Sequence, residues 1–287
     1  MKKAVLLAAY GATGVQNNIS LKLFEDKVRE EFPGISIRWA FTSLRMRNRL
    51  AAERKKSDSV EKALCRLAFE KFGQVAVQSL HVIPGREYQD LLQEIDNARQ
   101  SAALSDSALA DISIGLPLLN NQEDLQLAAR AMLASSPPER QPEDFMLWVG
   151  HGSQHTGQVS YARLAEEAAK LDPNMLIGTL DDGVEKLLPL LGSPESPSHP
   201  ESPVQSDRQN TLGSPAATGR TIWLLPLLAV IGKHAREDLA GSGTDSWQSR
   251  LEAQGFACRP ILRGMIEYPA FTELWVRHLK ESAFRVF

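Results

Sequence analysis

Short apolar runs alternate along this chain with longer stretches whose apolar residues recur at helical spacing. An apolar run of about four to eight residues is typical of a strand buried on both faces, as in parallel sheets covered by helices. The alternation therefore predicts an α/β protein in which helices follow the strands. The predicted strands are Ala4 to Tyr10, Ser36 to Ala40, Gln74 to Leu80, Asp111 to Gly115, Phe145 to Val149, Leu176 to Leu180, Thr221 to Leu228 and Ala257 to Leu262.

The two halves of the chain are similar to each other. The sequence LAAYGAT at residues 7–13 aligns with WVGHGSQ at 148–154, which sets Tyr10 against His151. The sequence LHVIPGRE at 80–87 aligns, with one gap, with LAVIGKH at 228–234, which sets Glu87 against His234. An internal repeat of this length predicts two similar α/β domains, 1–135 and 136–287, that face each other across a cleft.

Two histidines follow predicted strands in the second half. His151 lies in Gly-His-Gly after the fifth strand, and His234 lies in Gly-Lys-His after the seventh. Open α/β sheets bind ligands at the carboxyl ends of their strands, and neutral imidazole is a common ligand of divalent metals. Taken singly, a histidine at such a position is more often a hydrogen-bonded structural residue than a ligand, and it is the matched placement of the two that favours a functional role as much as a structural one. Together with Glu87 and Tyr10, the pair predicts one cleft site suited to cobalt, nickel, ferrous iron or zinc.

Further polar residues lie at or near predicted strand ends. Asp181 and Asp182 end the sixth strand, where a carboxylate could complete a metal site or collect protons, or where the pair could cap the next helix. Arg45, in a run of alternating arginines, could present its guanidinium group to a polycarboxylate, or the run could form a solvated helix face. His81 directly follows a strand, where it could orient a ligand or fill a core position.

The composition argues against several classes of protein. A formal charge of −3 and a pI near 6.1 give no general attraction to nucleic acid or to an anionic membrane. No stretch approaches the roughly 20 apolar residues of a membrane span, and the nucleotide-binding and serine-hydrolase motifs are missing. Cys65 and Cys258 form no CxxC pair, which predicts a reducing, cytoplasmic location. Homo-oligomer formation stays open.

Residues of about 192–219 differ from the rest of the chain. This segment consists largely of Ser, Pro, Gly, Asn and Gln and has almost no large apolar residue. Such a composition cannot bury enough surface to offset the entropy lost on ordering. We therefore expect a flexible insert within the second domain.

The chain resembles the anaerobic cobaltochelatases of the CbiK type, which insert cobalt into sirohydrochlorin in early cobalamin synthesis. The resembling segments keep their order and are spread over essentially all of the chain outside the insert. They are Ala40 to Ser43, Gln78 to Tyr88, Gly115 to Leu119, Val149 to Ser153, Pro226 to Ala235 and Asp245 to Trp247. Because no single short motif carries the resemblance, it is specific.

The resemblance implies the class II chelatase fold, in which two flavodoxin-like domains hold the tetrapyrrole between them. His151 and His234 fall on the family's metal-binding histidines, and Glu87 falls on a cleft glutamate. A further metal-site glutamate of the family falls here on Asp181, which has a shorter side chain. The metal, Co²⁺, is then a substrate, and no organic cofactor is needed.

On this interpretation His151, Glu87 and His234 are catalytic, and His151, His234 and Asp181 bind the metal. The residues expected to bind the substrate are Tyr10, Gly11, Thr13, His81 and Arg45. One alternative is insertion of iron or nickel, because the ligand set does not select one metal. Another is a tetrapyrrole or haem carrier with a histidine as axial ligand, which would bind one equivalent without turnover.

Overall fold

A computed structural model describes residues 1–11, 13–101, 104, 109, 111–153, 156–192 and 220–284. The first half contains β1 (Lys2–Ala9), α1 (Val15–Glu31), β2 (Ser36–Phe41), α2 (Leu44–Ala52), α3 (Val60–Phe69), β3 (Phe72–Ser79), α4 (Arg86–Gln100), β4 (Asp111–Gly115) and α5 (Gln122–Ala134). The second half contains β5 (Phe145–Gly150), α6 (Val159–Leu171), β6 (Met175–Thr179), α7 (Leu188–Leu191), β7 (Thr221–Pro226), α8 (Lys233–Ala240), α9 (Trp247–Glu252), β8 (Ala257–Pro260) and α10 (Pro269–Ser282). Short 3₁₀ turns lie at Thr156–Gln158, Val184–Lys186 and Met265–Glu267.

Each half forms a four-stranded parallel sheet. The first has the order β2-β1-β3-β4 and the second the order β6-β5-β7-β8, so β5 occupies the place of β1 and β7 that of β3. These are the first four positions of a flavodoxin-like sheet. The predicted α/β fold with two similar units is confirmed, and every predicted strand is present, with ends that differ by at most two residues.

The strands at the centre of each sheet are buried on both faces. On β1, Val5 and Leu7 join a core that the two halves share, whereas Ala4 and Leu6 face a separate core beneath α3 and α4. In the second sheet Trp148 belongs to the shared core. Burial on both faces is the reason these strands are continuous apolar runs.

Helix α10 joins the two halves through that shared core. The ring of Phe271 lies 5.6 Å from that of Trp148 in the second sheet. One turn later, the ring of Trp275 lies 6.3 Å from that of Phe24 on α1. Both aromatic side chains of α10 are fully buried, and each such burial contributes about 1.5–3 kcal/mol. The C-terminal helix therefore holds the two sheets in a defined arrangement.

A buried polar network fixes the same helix to the first half. His278 is 2% exposed. Its Nδ1 lies 3.1 Å from the Leu116 carbonyl oxygen and its Nε2 lies 2.8 Å from Asp124 Oδ1. Arg277 reaches the same carboxylate at 2.5 Å. Asp124 lies in the first turn of α5, and Leu116 directly follows β4, so this network connects α10 to the segment that leaves β4.

Two further sequence expectations concern the insert and membrane-spanning segments. The predicted insert at about 192–219 lies, apart from Gly192, outside the described residues. In the described part of the chain, no helix is both long enough and apolar enough to cross a membrane.

Candidate active site

The loop after β5 exposes the imidazole of His151, whose side chain is 74% exposed. The next residue, Gly152, has a φ of +98°, a backbone conformation that side chains disfavour. A Cβ atom on Gly152 would lie 2.7 Å from Asp181 Oδ2. The Gly-His-Gly sequence thus allows the loop to turn closely against the loop after β6.

Asp181 lies beside His151 because β5 and β6 are neighbouring parallel strands. The Asp181 N–H donates to the His151 carbonyl oxygen at 3.1 Å, which fixes the two loops together. The Asp181 Oδ1 atom lies 3.8 Å from His151 Nδ1, which is too long for a direct hydrogen bond. Two ligands that each lie about 2.1 Å from one metal ion are at most ~4.2 Å apart, so these side chains can bind the same ion.

Asp182 makes different contacts from the preceding aspartate. It accepts hydrogen bonds from Thr179 Oγ1 at 2.9 Å and Gln158 Nε2 at 3.1 Å, and it pairs with Lys186. The hydrogen bond from Lys186 is the main reason that the pKa of Asp182 lies below its usual value. The side-chain Oε1 of Gln158 accepts a hydrogen bond from the Ser153 N–H at 2.8 Å. Asp182 therefore holds Gln158, which in turn binds the backbone of the histidine loop, and so has a structural role.

Tyr161 on α6 lies directly under the same loop. A Cβ atom on Gly150 would lie 2.5 Å from its ring, so only glycine fits there. Burial raises the pKa of the Tyr161 hydroxyl, and the negative charges of Glu87 and Asp181 raise it further. A hydrogen bond from the Gly152 N–H lowers this pKa and so offsets part of the rise. The Tyr161 hydroxyl itself lies against this loop, since a Cβ atom on Gly150 would be 2.9 Å from it.

The loop that follows β3 in the first half meets the histidine loop of the second. A Cβ atom on Gly157 would lie only 2.9 Å from the Gly85 Cα, and one on Gly85 would lie 3.6 Å from Ser153 Oγ. Glu87 follows in the first turn of α4 and is exposed. The glycines allow this close approach, which brings the Glu87 carboxylate toward the site of the second half.

A second contact joins the halves through the loop after β1. Tyr10 is 45% exposed, and Gly11 has a φ of +113°. Asn17, which is buried, donates from Nδ2 to the Thr13 carbonyl oxygen at 2.8 Å and to the Ile231 carbonyl oxygen at 3.0 Å. Since Ile231 lies in the loop after β7, Asn17 connects the predicted substrate-binding loop to the loop that leads to His234.

The side chain of His234 lies outside the described residues, although its backbone lies in the first turn of α8. Among the described side chains, no three His, Cys, Asp or Glu groups lie close enough to hold a metal ion together. The described part of the candidate metal centre is therefore the pair of His151 and Asp181.

Comparison with known proteins gives the family. The sequence profile of the cobalt chelatase family CbiK matches residues 3–191 and 212–284. The chain belongs to the CbiK family. The sirohydrochlorin cobaltochelatase CbiKC of Nitratidesulfovibrio vulgaris is 42% identical to this CbiK-family chain over 280 residues, which are 97% of the chain and 89% of the relative. The sirohydrochlorin cobaltochelatase of Salmonella typhimurium is 29% identical over 292 residues, with 98% and 97% covered. The predicted family is thus confirmed.

Solved chelatases share the fold of the CbiK-family chain. The structure of SirB from Bacillus subtilis with Fe³⁺ matches with a TM-score of 0.63 at 14% identity, over 98% of this chain and 95% of that one. The cobalt complex of the sirohydrochlorin chelatase SirB from Bacillus subtilis subspecies spizizenii matches with a TM-score of 0.61 at 12% identity and with the same coverage. The likeness concerns the fold alone and confirms the predicted chelatase architecture.

His81 of the CbiK-family chain is buried, with 8% exposed. Its Nδ1 lies 2.9 Å from Ser79 Oγ and its Nε2 lies 3.2 Å from Thr42 Oγ1. Burial lowers the pKa of this imidazole to about 4, so the ring is neutral at pH 7. The ring connects the ends of β2 and β3. Its role in substrate binding stays a prediction, and such a role would act through Thr42.

The arginines of α2 are not equivalent. Arg47 is half-buried and donates to the Thr42 carbonyl oxygen at 2.9 Å and to that of Phe41. It also lies 3.7 Å from Glu94. Arg47 therefore satisfies carbonyl groups at the end of β2, whereas Arg45 is exposed at the start of the helix.

Sequence reasoning missed three residues that position the site of the CbiK-family chain, namely Tyr161, Asn17 and Gln158. Each lies at the start of a helix or turn whose pattern indicates only an amphipathic or polar segment. One signal was available for Asn17 and Gln158, because both follow a glycine-containing loop at a strand end by only a few residues. Tyr161 had no such signal, because an aromatic residue on a helix is typical of a core.

Proposed function

We propose that this CbiK-family chain catalyses the insertion of Co²⁺ into sirohydrochlorin. The family match and the two relatives named sirohydrochlorin cobaltochelatase support this activity. The structural observation that carries the proposal is the pairing of His151 with Asp181 at adjacent strand ends, 3.8 Å apart. The loop that carries Glu87 packs against the same site from the other half.

Three protein groups are proposed to hold the metal before it is transferred. His151 and Asp181 supply one nitrogen and one oxygen, and His234 supplies a second nitrogen. Imidazole and carboxylate groups suit Co²⁺, and three ligands leave coordination positions free for ring nitrogens. Exposure of His151 favours exchange of the protein ligands for those of the macrocycle. Co²⁺ is a substrate of this reaction, and the reaction requires no organic cofactor.

Metal insertion releases two protons from pyrrole nitrogens, and the site offers groups that can accept them. Glu87 is exposed at the start of α4, so its carboxylate can take a proton from the ring and release it to solvent. The imidazole of His151 can accept the other proton once the metal has left it. Tyr161 holds the histidine loop in place through the Gly152 N–H during these steps.

The substrate is proposed to lie against the loop after β1. Tyr10 is exposed at this loop, Thr13 is half-buried, and Gly11 lies buried against α2. Arg45 is exposed at the start of α2, where its guanidinium group can pair with a substrate carboxylate. The buried His81 would contribute to substrate binding indirectly, by orienting the Thr42 hydroxyl that lies next to its Nε2.

Three wider expectations also stand as proposals. We propose a division into domains 1–135 and 136–287, supported by the positions of the two sheets on either side of that point. Helix α10 nevertheless packs on the first sheet, so the domains are not independent of each other. We further propose a cytoplasmic location without nucleic-acid or membrane partners, on the composition and charge of the chain.

The test is an anaerobic absorbance assay of Co²⁺ insertion into sirohydrochlorin by the purified protein. The variants are His151→Ala, His234→Ala, Asp181→Asn and Glu87→Gln. Asp90→Asn serves as a matched control, because Asp90 is an exposed carboxylate about one turn beyond Glu87 on the same helix. We expect many turnovers by the parent and the control, and loss of turnover in the folded histidine and Asp181 variants.

Other outcomes would point to the alternatives. Binding of one equivalent of tetrapyrrole without turnover would favour a carrier and overturn the proposed activity. Faster insertion of Fe²⁺ or Ni²⁺ than of Co²⁺ would reassign the metal. Full activity of His151→Ala would show that the metal site lies elsewhere.

A further inference from the structure

A groove of about 620 Å³ lies between α2 and α3, beside the edge strand β2. Its lining includes a single carboxylate, that of Asp58, and six cationic side chains, one of which, Arg47, also lies 3.7 Å from Glu94 outside the groove. The cations are Arg47, Arg54, Lys55, Lys56, Lys62 and Arg66. Since the whole chain carries a formal charge of −3, this groove is a local concentration of positive charge.

Nearby carboxylates neutralise only part of this charge. Asp58 lies 2.8 Å from Arg66 and 3.6 Å from Lys62, so two cations share one carboxylate. Lys55 pairs with a glutamate outside the groove at 2.7 Å. Arg54 and Lys56 have no acidic partner among the residues that the structure describes. The groove therefore keeps an excess of positive charge.

One end of the groove, at Leu44, lies next to the loop after β1, where the substrate is proposed to lie. Leu44 lines the groove, is 63% exposed and begins α2. The residue before it, Ser43, donates its N–H to the Tyr10 carbonyl oxygen at 3.1 Å. A Cβ atom on Gly11 would lie 2.6 Å from Met46 Cγ, so α2 packs directly on that loop. The Leu44 end of the groove is thus next to the entrance of the proposed cleft, and the basic residues Arg54 and Lys56 follow the other end of α2.

We infer that this basic groove binds carboxylates of the tetrapyrrole substrate at the entrance of the cleft. The inference rests on the proposed function, because the ligand it names is the polycarboxylate substrate. Arginine and lysine in an open groove attract such an anion over a distance of about one Debye length, roughly 8 Å at physiological ionic strength. They favour encounter and orientation of the ring and take no part in the chemical step.

The backbone of Arg54 allows a clean test. Arg54 follows the end of α2 and has a φ of +56°. The Arg54 N–H donates to the Ala51 carbonyl oxygen, and the Lys55 N–H donates to the Leu50 carbonyl oxygen. Glycine is favoured at this position, so Arg54→Gly removes a charge without weakening the fold. Lys71 lies between α3 and the start of β3, is not part of the groove lining, and has a φ of +61°. Lys71→Gly is therefore a matched control that removes one charge outside the groove.

The experiment measures two quantities in the parent, Arg54→Gly, Lys56→Gln, the double variant and Lys71→Gly. One is the KM for sirohydrochlorin in Co²⁺ insertion at low and raised ionic strength. The other is the Kd for uroporphyrin, a metal-free polycarboxylate porphyrin, by absorbance titration without Co²⁺. We expect each groove variant to raise both constants by about twofold to fivefold, with kcat unchanged. The double variant should also depend less on salt, and Lys71→Gly should match the parent.

The outcomes separate this inference from the proposed function. If the parent turns over but the groove variants keep the parental KM, Kd and salt dependence, the groove inference is wrong and the chelatase proposal stands. If the parent does not turn over, the chelatase proposal fails, and unchanged uroporphyrin binding in the variants would overturn the groove as well. Loss of inorganic triphosphate or phosphatidylglycerol-vesicle binding alone would assign the groove to a different anion and overturn the inference.

Discussion

His81 should make the stability of this protein depend on pH. Its imidazole is buried against the hydroxyls of Ser79 and Thr42, and burial lowers its pKa from 6.5 to about 4. Between these values the unfolded chain binds a proton that the folded chain does not, so the free energy of unfolding falls as the pH falls. This contribution is fully present above pH 6.5 and is lost toward pH 4. At about 1.4 kcal/mol per pH unit, the loss is about 2 kcal/mol at pH 5.

Urea unfolding at pH 7.5 and 5.0 tests this value in the parent, His81→Asn and Thr42→Val. His81→Asn lacks the titrating ring, so it should lose about 2 kcal/mol less than the parent between the two pH values. Thr42→Val removes the partner of Nε2 and should be less stable by about 1 kcal/mol at pH 7.5, but it should keep the parental pH dependence. If His81→Asn loses as much stability as the parent, buried neutral His81 is not the cause.

Three further substitutions test other parts of the structure. Gly152→Ala should cost about 1–3 kcal/mol from its positive φ and should abolish insertion, because the new Cβ displaces Asp181. Tyr161→Phe removes the acceptor of the Gly152 N–H and should lower the free energy of unfolding by about 1–2 kcal/mol, together with a lower kcat. His278→Ala breaks a buried pair with Asp124 and should cost about 3 kcal/mol while the folded fraction keeps its activity.

Urea unfolding and the Co²⁺ insertion assay measure all three variants. Parental activity in Gly152→Ala would contradict the close packing of its loop against Asp181. A fully stable Tyr161→Phe would show that its hydroxyl does not support the histidine loop. A His278→Ala variant that folds normally but is inactive would place that residue in the site, which its burial argues against.

Much of the fold could be predicted from the sequence, because a strand that is buried on both faces is a continuous run of apolar residues. The central strands of each sheet are continuous apolar runs, and all eight predicted strands are present among the residues that the structure describes. The alignment of Tyr10 with His151 corresponds to the equivalent places of β1 and β5 in their sheets. The placement of His151 at a carboxyl edge was predictable for the same reason, since a strand must end where its apolar run ends.

The partners of the site residues could not be predicted in this way. The residue pattern left Asp181 and Asp182 equivalent, and only the family resemblance singled out Asp181. The strand register and the turn after β6 direct Asp181 to His151 and Asp182 to Gln158. Arg47 has the pattern of a surface arginine, yet it turns inward to carbonyl groups that become available only when β2 ends beside it.

The sequence by itself determined the two α/β halves, their strands and the strand ends at which the site loops lie, because hydrophobic periodicity is a local property of the chain. The tertiary structure alone decided which side chains meet there. Tyr161 comes under the histidine loop, Gly85 comes against Gly157, and α10 crosses back to the first sheet through contacts between distant segments. Such contacts join residues that are far apart in the chain and depend on how the two halves pack, so they cannot be predicted from any short stretch of sequence.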